Sequence, residues 1–171
     1  MKSFTPAFRL VVAALALAAP AAFAADDPDL HWVGASRGSI PKGSLAVGRD
    51  AGGQALYACR ARLANGADVP GKIREPIVGC NLVFGGLEWT IGAYQVLRDD
   101  GPKVIRWTPA TDVPQRAYQV GREANGTALY LCRAKHSDGS LQIGRVAPGA
   151  CLFGIGGKEE KSADFEVLVK P

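Results

Sequence analysis

The residues of this 171-residue chain that could do chemistry are four cysteines, two histidines and a set of charges that recur at fixed spacing. Asp50 and Lys72 return as Glu123 and Arg145, while Arg60 and Glu88 return as Arg133 and Glu159. In the first set the signs survive two different substitutions, which points to a common acid–base site. A carboxylate can accept from two neighbouring hydroxyls and an ammonium can donate to their oxygens, and such charge-assisted bonds outweigh neutral ones. The alternatives are local. An acid beside a Gly-rich turn can cap that turn's amides, and a basic residue at a strand end can be a solvated charge.

Catalysis finds little support. His31 stands close to the start of the expected mature chain and His136 in a polar, turn-bound stretch; neither has a counterpart in the other copy, and both read as solvated surface residues. There is no histidine near a repeated Ser or Cys, no nucleophile motif and no phosphate loop, so the chain reads as a non-enzyme. Asp50 and Glu123 could form a glycosidase-like carboxylate pair only if packed about 5–9.5 Å apart, and a repeat more naturally makes two separate sites. The cysteines lack the close spacing of a zinc site, so neither metal nor cofactor is expected.

Residues 1–24 carry Lys2 and Arg9, then an apolar stretch from Leu10 to Ala19 that is too short to span a bilayer. With Ala22 and Ala24 after Pro20, they read as a signal peptide cleaved after Ala24. The chain is expected to be secreted or periplasmic, without a membrane span. Without that segment, 18 basic residues face 16 acidic ones, and the formal charge falls from +4 to +2. These charges are scattered singly, whereas a nucleic-acid partner would require a dense basic stripe.

Those charges must be held by a repeated framework. An offset of 73 lays Val47-Gly48-Arg49-Asp50 on Val120-Gly121-Arg122-Glu123, Ala55-Leu56-Tyr57 on Ala128-Leu129-Tyr130, and Cys59-Arg60-Ala61 on Cys132-Arg133-Ala134. Fourteen of the 33 aligned positions from Pro41 to Ile73 are identical, too many for chance. Beyond Ile73 the offset becomes 71, pairing Cys80 with Cys151, Gly85-Gly86 with Gly156-Gly157 and Glu88 with Glu159. The copies run from about Trp32 to Leu97 and Trp107 to Leu168 within one domain, 25–171, joined by the polar link Arg98 to Arg106.

Inside each copy, Gly52-Gly53 matches Asn125-Gly126 and Asn65-Gly66 matches Asp138-Gly139, the punctuation of hairpins between short apolar segments. The fold class is therefore all-β: two tandem β-rich repeats packed with pseudo-twofold symmetry into one sandwich-like or barrel-like domain. Neither copy alone would bury enough apolar surface. In an exported chain the four cysteines favour two disulfides, and the repeat favours Cys59–Cys80 with Cys132–Cys151. Reduced core cysteines, or pairing between the copies, remain the alternatives. Arg60 with Glu88, and Arg133 with Glu159, read as buried structural ion pairs, with direct ligand contact as the secondary role. Trp32 and Trp107 read as core anchors.

The string Trp32-Val-Gly-Ala-Ser, Ile40-Pro41, Val47-Gly48-Arg49-Asp50, Leu56-Tyr57, Cys59-Arg60-Ala61, Pro70-Gly71-Lys72, Cys80, Phe84-Gly85-Gly86-x-Glu88 and Tyr94-Gln-Val96-Leu97 resembles the DM-nine (DM9) repeat family. The resemblance covers both copies. It implies a compact all-β fold with two repeats related by a pseudo-twofold axis, and lectin activity with a preference for mannose, as in some members. In those lectins the acid of the Val-Gly-x-Asp motif and the lysine of the Pro-Gly-Lys motif clamp the sugar, which carries over to Asp50 and Lys72. The second copy departs: Glu123 and Arg145 replace them, and Ile143-Gly144 replaces Pro70-Gly71. The expected partner is a glycan or glycoconjugate. The alternative is an envelope protein-interaction module that binds no sugar.

Overall fold

A computed structural model describes residues 30–98 and 105–171. The signal-peptide segment 1–24 lies outside the described residues, as does most of the link between the copies. The first copy supplies β1 (His31–Ser36), β2 (Ala46–Arg49), β3 (Ala55–Arg62), β4 (Asp68–Ile73), β5 (Cys80–Phe84), β6 (Leu87–Ile91) and β7 (Ala93–Arg98). The second supplies β8 (Arg106–Ala110), β9 (Gln119–Arg122), β10 (Ala128–Lys135), β11 (Leu141–Ala147), β12 (Ala150–Ile155), β13 (Lys158–Ser162) and β14 (Phe165–Val169). The described residues are all-β, and no helix among them is long and apolar enough to cross a membrane.

Every ladder of the first copy has its twin in the second. The pairs β1–β7, β7–β3, β3–β2, β3–β4, β4–β5 and β5–β6 correspond to β8–β14, β14–β10, β10–β9, β10–β11, β11–β12 and β12–β13. Three more ladders cross between the copies: β2 with β11, β9 with β4, and β6 with β13. The run β3-β2-β11-β12-β13-β6-β5-β4 returns to β3 and closes an eight-strand barrel, with the other strands added outside it. The crossings pair the β2, β6, β9 and β13 edges that each half would otherwise leave open, while β1 and β8 stand at the ends of the sheet.

The glycines of the repeated motifs have a packing reason. A Cβ at Gly48 would collide with the carbonyl oxygen of Leu141, and one at Gly121 with that of Asp68. These are the two points where a short strand of one copy crosses onto the other. Gly71 and Gly144 are constrained likewise by the carbonyls of Asn81 and Leu152 on the neighbouring strand. The Gly85-Gly86 and Gly156-Gly157 turns hold both residues at positive φ (63° and 81°, 60° and 84°), a conformation that two-residue hairpins reserve for such residues.

Apolar burial follows the same plan. A central core takes Trp32, Val47, Leu56 and Leu97 from one copy and Val120, Leu131, Ile143 and Leu168 from the other. Each copy then keeps a core of its own around its disulfide, Cys59–Cys80 or Cys132–Cys151. The pairing is thus within copies, as the repeat favoured. Trp32 is buried in the central core and Trp107 packs against it, so both are anchors.

The expected Arg–Glu pairs do not form. Arg60 Nε donates to Gln95 Oε1 at 2.8 Å and its guanidinium lies 4.4 Å from the centre of the Trp32 ring. Arg133 repeats this with Glu166 Oε2 at 2.7 Å over Trp107, again at 4.4 Å. The reason is the strand order: β7, not β6, lies beside β3, and Arg60 is in register with Gln95. Glu88 is left to face a different cation.

Candidate functional site

Lys72 sits on β4 with Asn81 as its cross-strand neighbour on β5. It is only 6% exposed. Its ammonium donates to Gln142 Oε1 at 2.6 Å and to the carbonyl oxygen of Gly154, and it faces Glu88 Oε1 at 3.5 Å. Two of these three partners belong to the other copy. Burial pulls the Lys72 pKa down, and the charge and hydrogen bonding of Glu88 oppose that without cancelling it. Glu88 is fixed in turn by the Gly157 amide at 3.0 Å and by Asn81 Nδ2 at 3.3 Å.

Asp50 opens the turn after β2. Its Oδ1 accepts the Gln54 amide at 2.8 Å, so it does cap the turn, and its Oδ2 lies 3.3 Å from Arg74 Nε. Arg74 Nη1 continues to Gln54 Oε1 at 3.1 Å and to the Glu75 carbonyl at 2.8 Å. Asp50 and Lys72 therefore have separate partners, yet both line one open pocket of about 320 Å³ with Arg74, Asn81, Glu88 and Gln142. Asp138 also lines it, from the β10–β11 turn. The Ser140 hydroxyl and amide, with His136, hold its carboxyl down to about 2. His136 is half-buried: its Nδ1 is 3.0 Å from Asp138 and its ring meets Phe153 edge-on.

In the second copy the acid and base close on each other, with Arg145 Nη1 3.5 Å from Glu123 Oε1. Several of the polar neighbours are replaced by apolar residues there. By the repeat offsets, Leu152 stands for Asn81, Val69 for Gln142 and Ala147 for Arg74. Arg145 Nε is buried without a hydrogen-bond partner among the described residues. The secondary candidates separate: Glu88 lines the first pocket, Arg60 and Arg133 are committed to Trp32 and Trp107, and Glu159 lies on β13.

The sequence reading missed Arg74, Gln142 and Asp138. Each is a polar or charged residue, and at the first two positions the other copy carries an apolar one, a signal that the repeat alignment contains. What the pocket offers is a mixture of donors and acceptors, suited to a ligand with several hydroxyls. Among the described residues, no group of three His, Cys, Asp or Glu is placed to hold a metal ion.

A family model described as the DM9 repeat matches residues 23–91 and 66–161, the two matches overlapping. No curated protein gives a significant match. Among solved structures, the crystal structure of the nematode sperm cell motility protein MFP2B is similar, with a TM-score of 0.62 and 18% identity. The likeness covers 85% of this chain and 45% of that one, so this chain spans less than half of its length. At that identity it is a likeness of fold.

Proposed function

The chain belongs to the DM9 repeat family, and from that premise we propose that it is an exported carbohydrate-binding module whose main site is the pocket shared by Asp50 and Lys72. The observation that carries this reading is the meeting of both motif residues on one open, polar pocket at the junction of the copies. Asp50 accepts from ring hydroxyls; Lys72 donates to ring oxygens. Three carboxylates, from Asp50, Glu88 and Asp138, stand against two cations. That balance favours a neutral sugar, with mannose the first candidate, over an acidic one. Glu123 and Arg145, already engaged with each other, make a weaker second site. The module performs no reaction on the sugar. Two disulfides suit an oxidising compartment outside the cytoplasm.

The test is a broad glycan array with immobilised mannan, probed with the purified chain from Ala25 onward. Binding that Asp50→Ala lowers at least tenfold, with the fold intact, supports the reading. An array with no positive glycan sinks it.

A second reading has its own observation. Trp89 is 47% exposed and Leu87 49% on the outer face of β6, and an apolar cleft of about 270 Å³ runs between Trp89, Phe84, Ile91 and Leu63. Such a cleft suits protein docking by an envelope interaction module. Capture of a partner that survives excess free sugar and is lost in Trp89→Ala favours this role.

A further inference from the structure

Resting on the glycan reading above, we infer that Arg74 is the positioning residue that makes the first pocket a site, by holding the Asp50 carboxylate apart from Lys72 and open to ligand. Both oxygens of Asp50 are oriented, one by the Gln54 amide at 2.8 Å and the other by Arg74 Nε at 3.3 Å. Arg74 is braced through Nη1 against Gln54 Oε1 and the Glu75 carbonyl, so its guanidinium has a defined place. A planar, forked cation braced in this way aims a carboxylate as a flexible ammonium does not.

The second copy supplies the natural comparison. It has Ala147 at the position of Arg74 and Thr127 at that of Gln54. Its backbone turn is the same, the Glu123 amide bonding the Thr127 carbonyl at 2.8 Å as the Asp50 amide bonds the Gln54 carbonyl at 2.9 Å. The Thr127 amide, however, is capped by Asn125 Oδ1 at 3.0 Å, where Asp50 caps that of Gln54. With Ala147 in the place of Arg74 and the turn amide taken by Asn125, the Glu123 carboxylate has neither of the partners that orient Asp50, and it stands 3.5 Å from Arg145. In the first copy the base instead faces Glu88, 3.5 Å away, and takes Gln142. Acid and base thus stay separate where Arg74 is present and close on each other where it is absent. A separated pair can address two neighbouring hydroxyls of one sugar ring, the acid accepting and the base donating. A closed pair must first be broken.

Arg74 acts through Asp50, so its variants separate positioning from folding. The experiment is calorimetric titration of the purified chain with the strongest neutral glycan of the array, mannan first, using Arg74→Ala, Arg74→Lys and Asp50→Ala with a thermal melt of each. The expected result is at least tenfold weaker binding for Arg74→Ala and Asp50→Ala, partial recovery in Arg74→Lys, and melting temperatures within a few degrees of wild type. Wild-type affinity in Arg74→Ala beside a loss in Asp50→Ala overturns the inference alone. So does loss in both Arg74 variants accompanied by a large fall in melting temperature. Wild-type affinity in Asp50→Ala, or no binding by the wild type, overturns the glycan reading and this inference with it.

Discussion

The Lys72 ammonium of the first copy and the Gln142 side-chain oxygen of the second meet at 2.6 Å inside the barrel. The floor of the pocket is therefore stitched from both copies: a buried cation on one is neutralised and solvated by groups on each. Glu88 supplies the charge, while Gln142 and Gly154 supply the hydrogen bonds that water would otherwise make.

Removing that cation should be costly. Lys72→Met leaves Glu88 buried opposite no charge, and loss of one partner from a buried pair costs about 3–5 kcal/mol. Urea denaturation is expected to show this for the single variant and a smaller loss for Lys72→Met with Glu88→Leu. The pH dependence has a definite sign. The native chain holds the Lys72 proton less tightly than the unfolded chain, because its pKa lies below the ordinary 10.5. The unfolded state thus binds more protons as pH approaches 10.5 from below, and stability gains there. Lys72→Met should lack that gain. An equal alkaline slope in the variant would contradict it.

Acid should act through Asp138. Its carboxyl is held at about 2 against an ordinary 3.8, first by the Ser140 hydroxyl and amide. The native state therefore favours the ionised form. Its contribution is full above 3.8 and is lost as pH falls through about 2. Melting temperatures measured between pH 5 and pH 2 should decline less steeply for Asp138→Asn than for wild type, after the variant's own loss at neutral pH is subtracted.

The crossing glycines predict a graded response. Gly48→Ala and Gly121→Ala each push a Cβ into a backbone carbonyl of the other copy, and overpacking of this kind costs about 1–3 kcal/mol. Gly34 on β1 has open space around it and no left-handed φ, so Gly34→Ala should stay within about 0.5 kcal/mol of wild type. Equal stability for all three would remove the account of why the motif carries glycine.

Much of the fold was legible because it is repeated. The offset exposed the all-β character, the hairpin turns and the disulfide pairing, each confirmed twice by one pattern. The strand crossings were not legible. A four-residue strand such as β2 carries no mark that one edge pairs with its own copy and the other with the second. The partners of charged residues depend on that order, so Arg60 was matched to Glu88 when register puts it beside Gln95. Asp50 and Lys72 were found from their motifs. Gln142 and Asp138 were hidden because they enter the pocket from the other copy, and Arg74 because it lies just outside the aligned motif.

The barrel closes only by alternating between copies, and β6 meets β13 at equivalent positions, Leu87 and Lys158. A free single copy would have to find a twin in solution before its pocket existed, and both pockets of that pair would be identical. Tethering the halves replaces that encounter with a high effective concentration. It also frees each half to mutate without its mirror image. One half can then keep its acid and base apart while the other closes them into an ion pair, as Asp50 with Arg74 and Glu123 with Arg145 now stand.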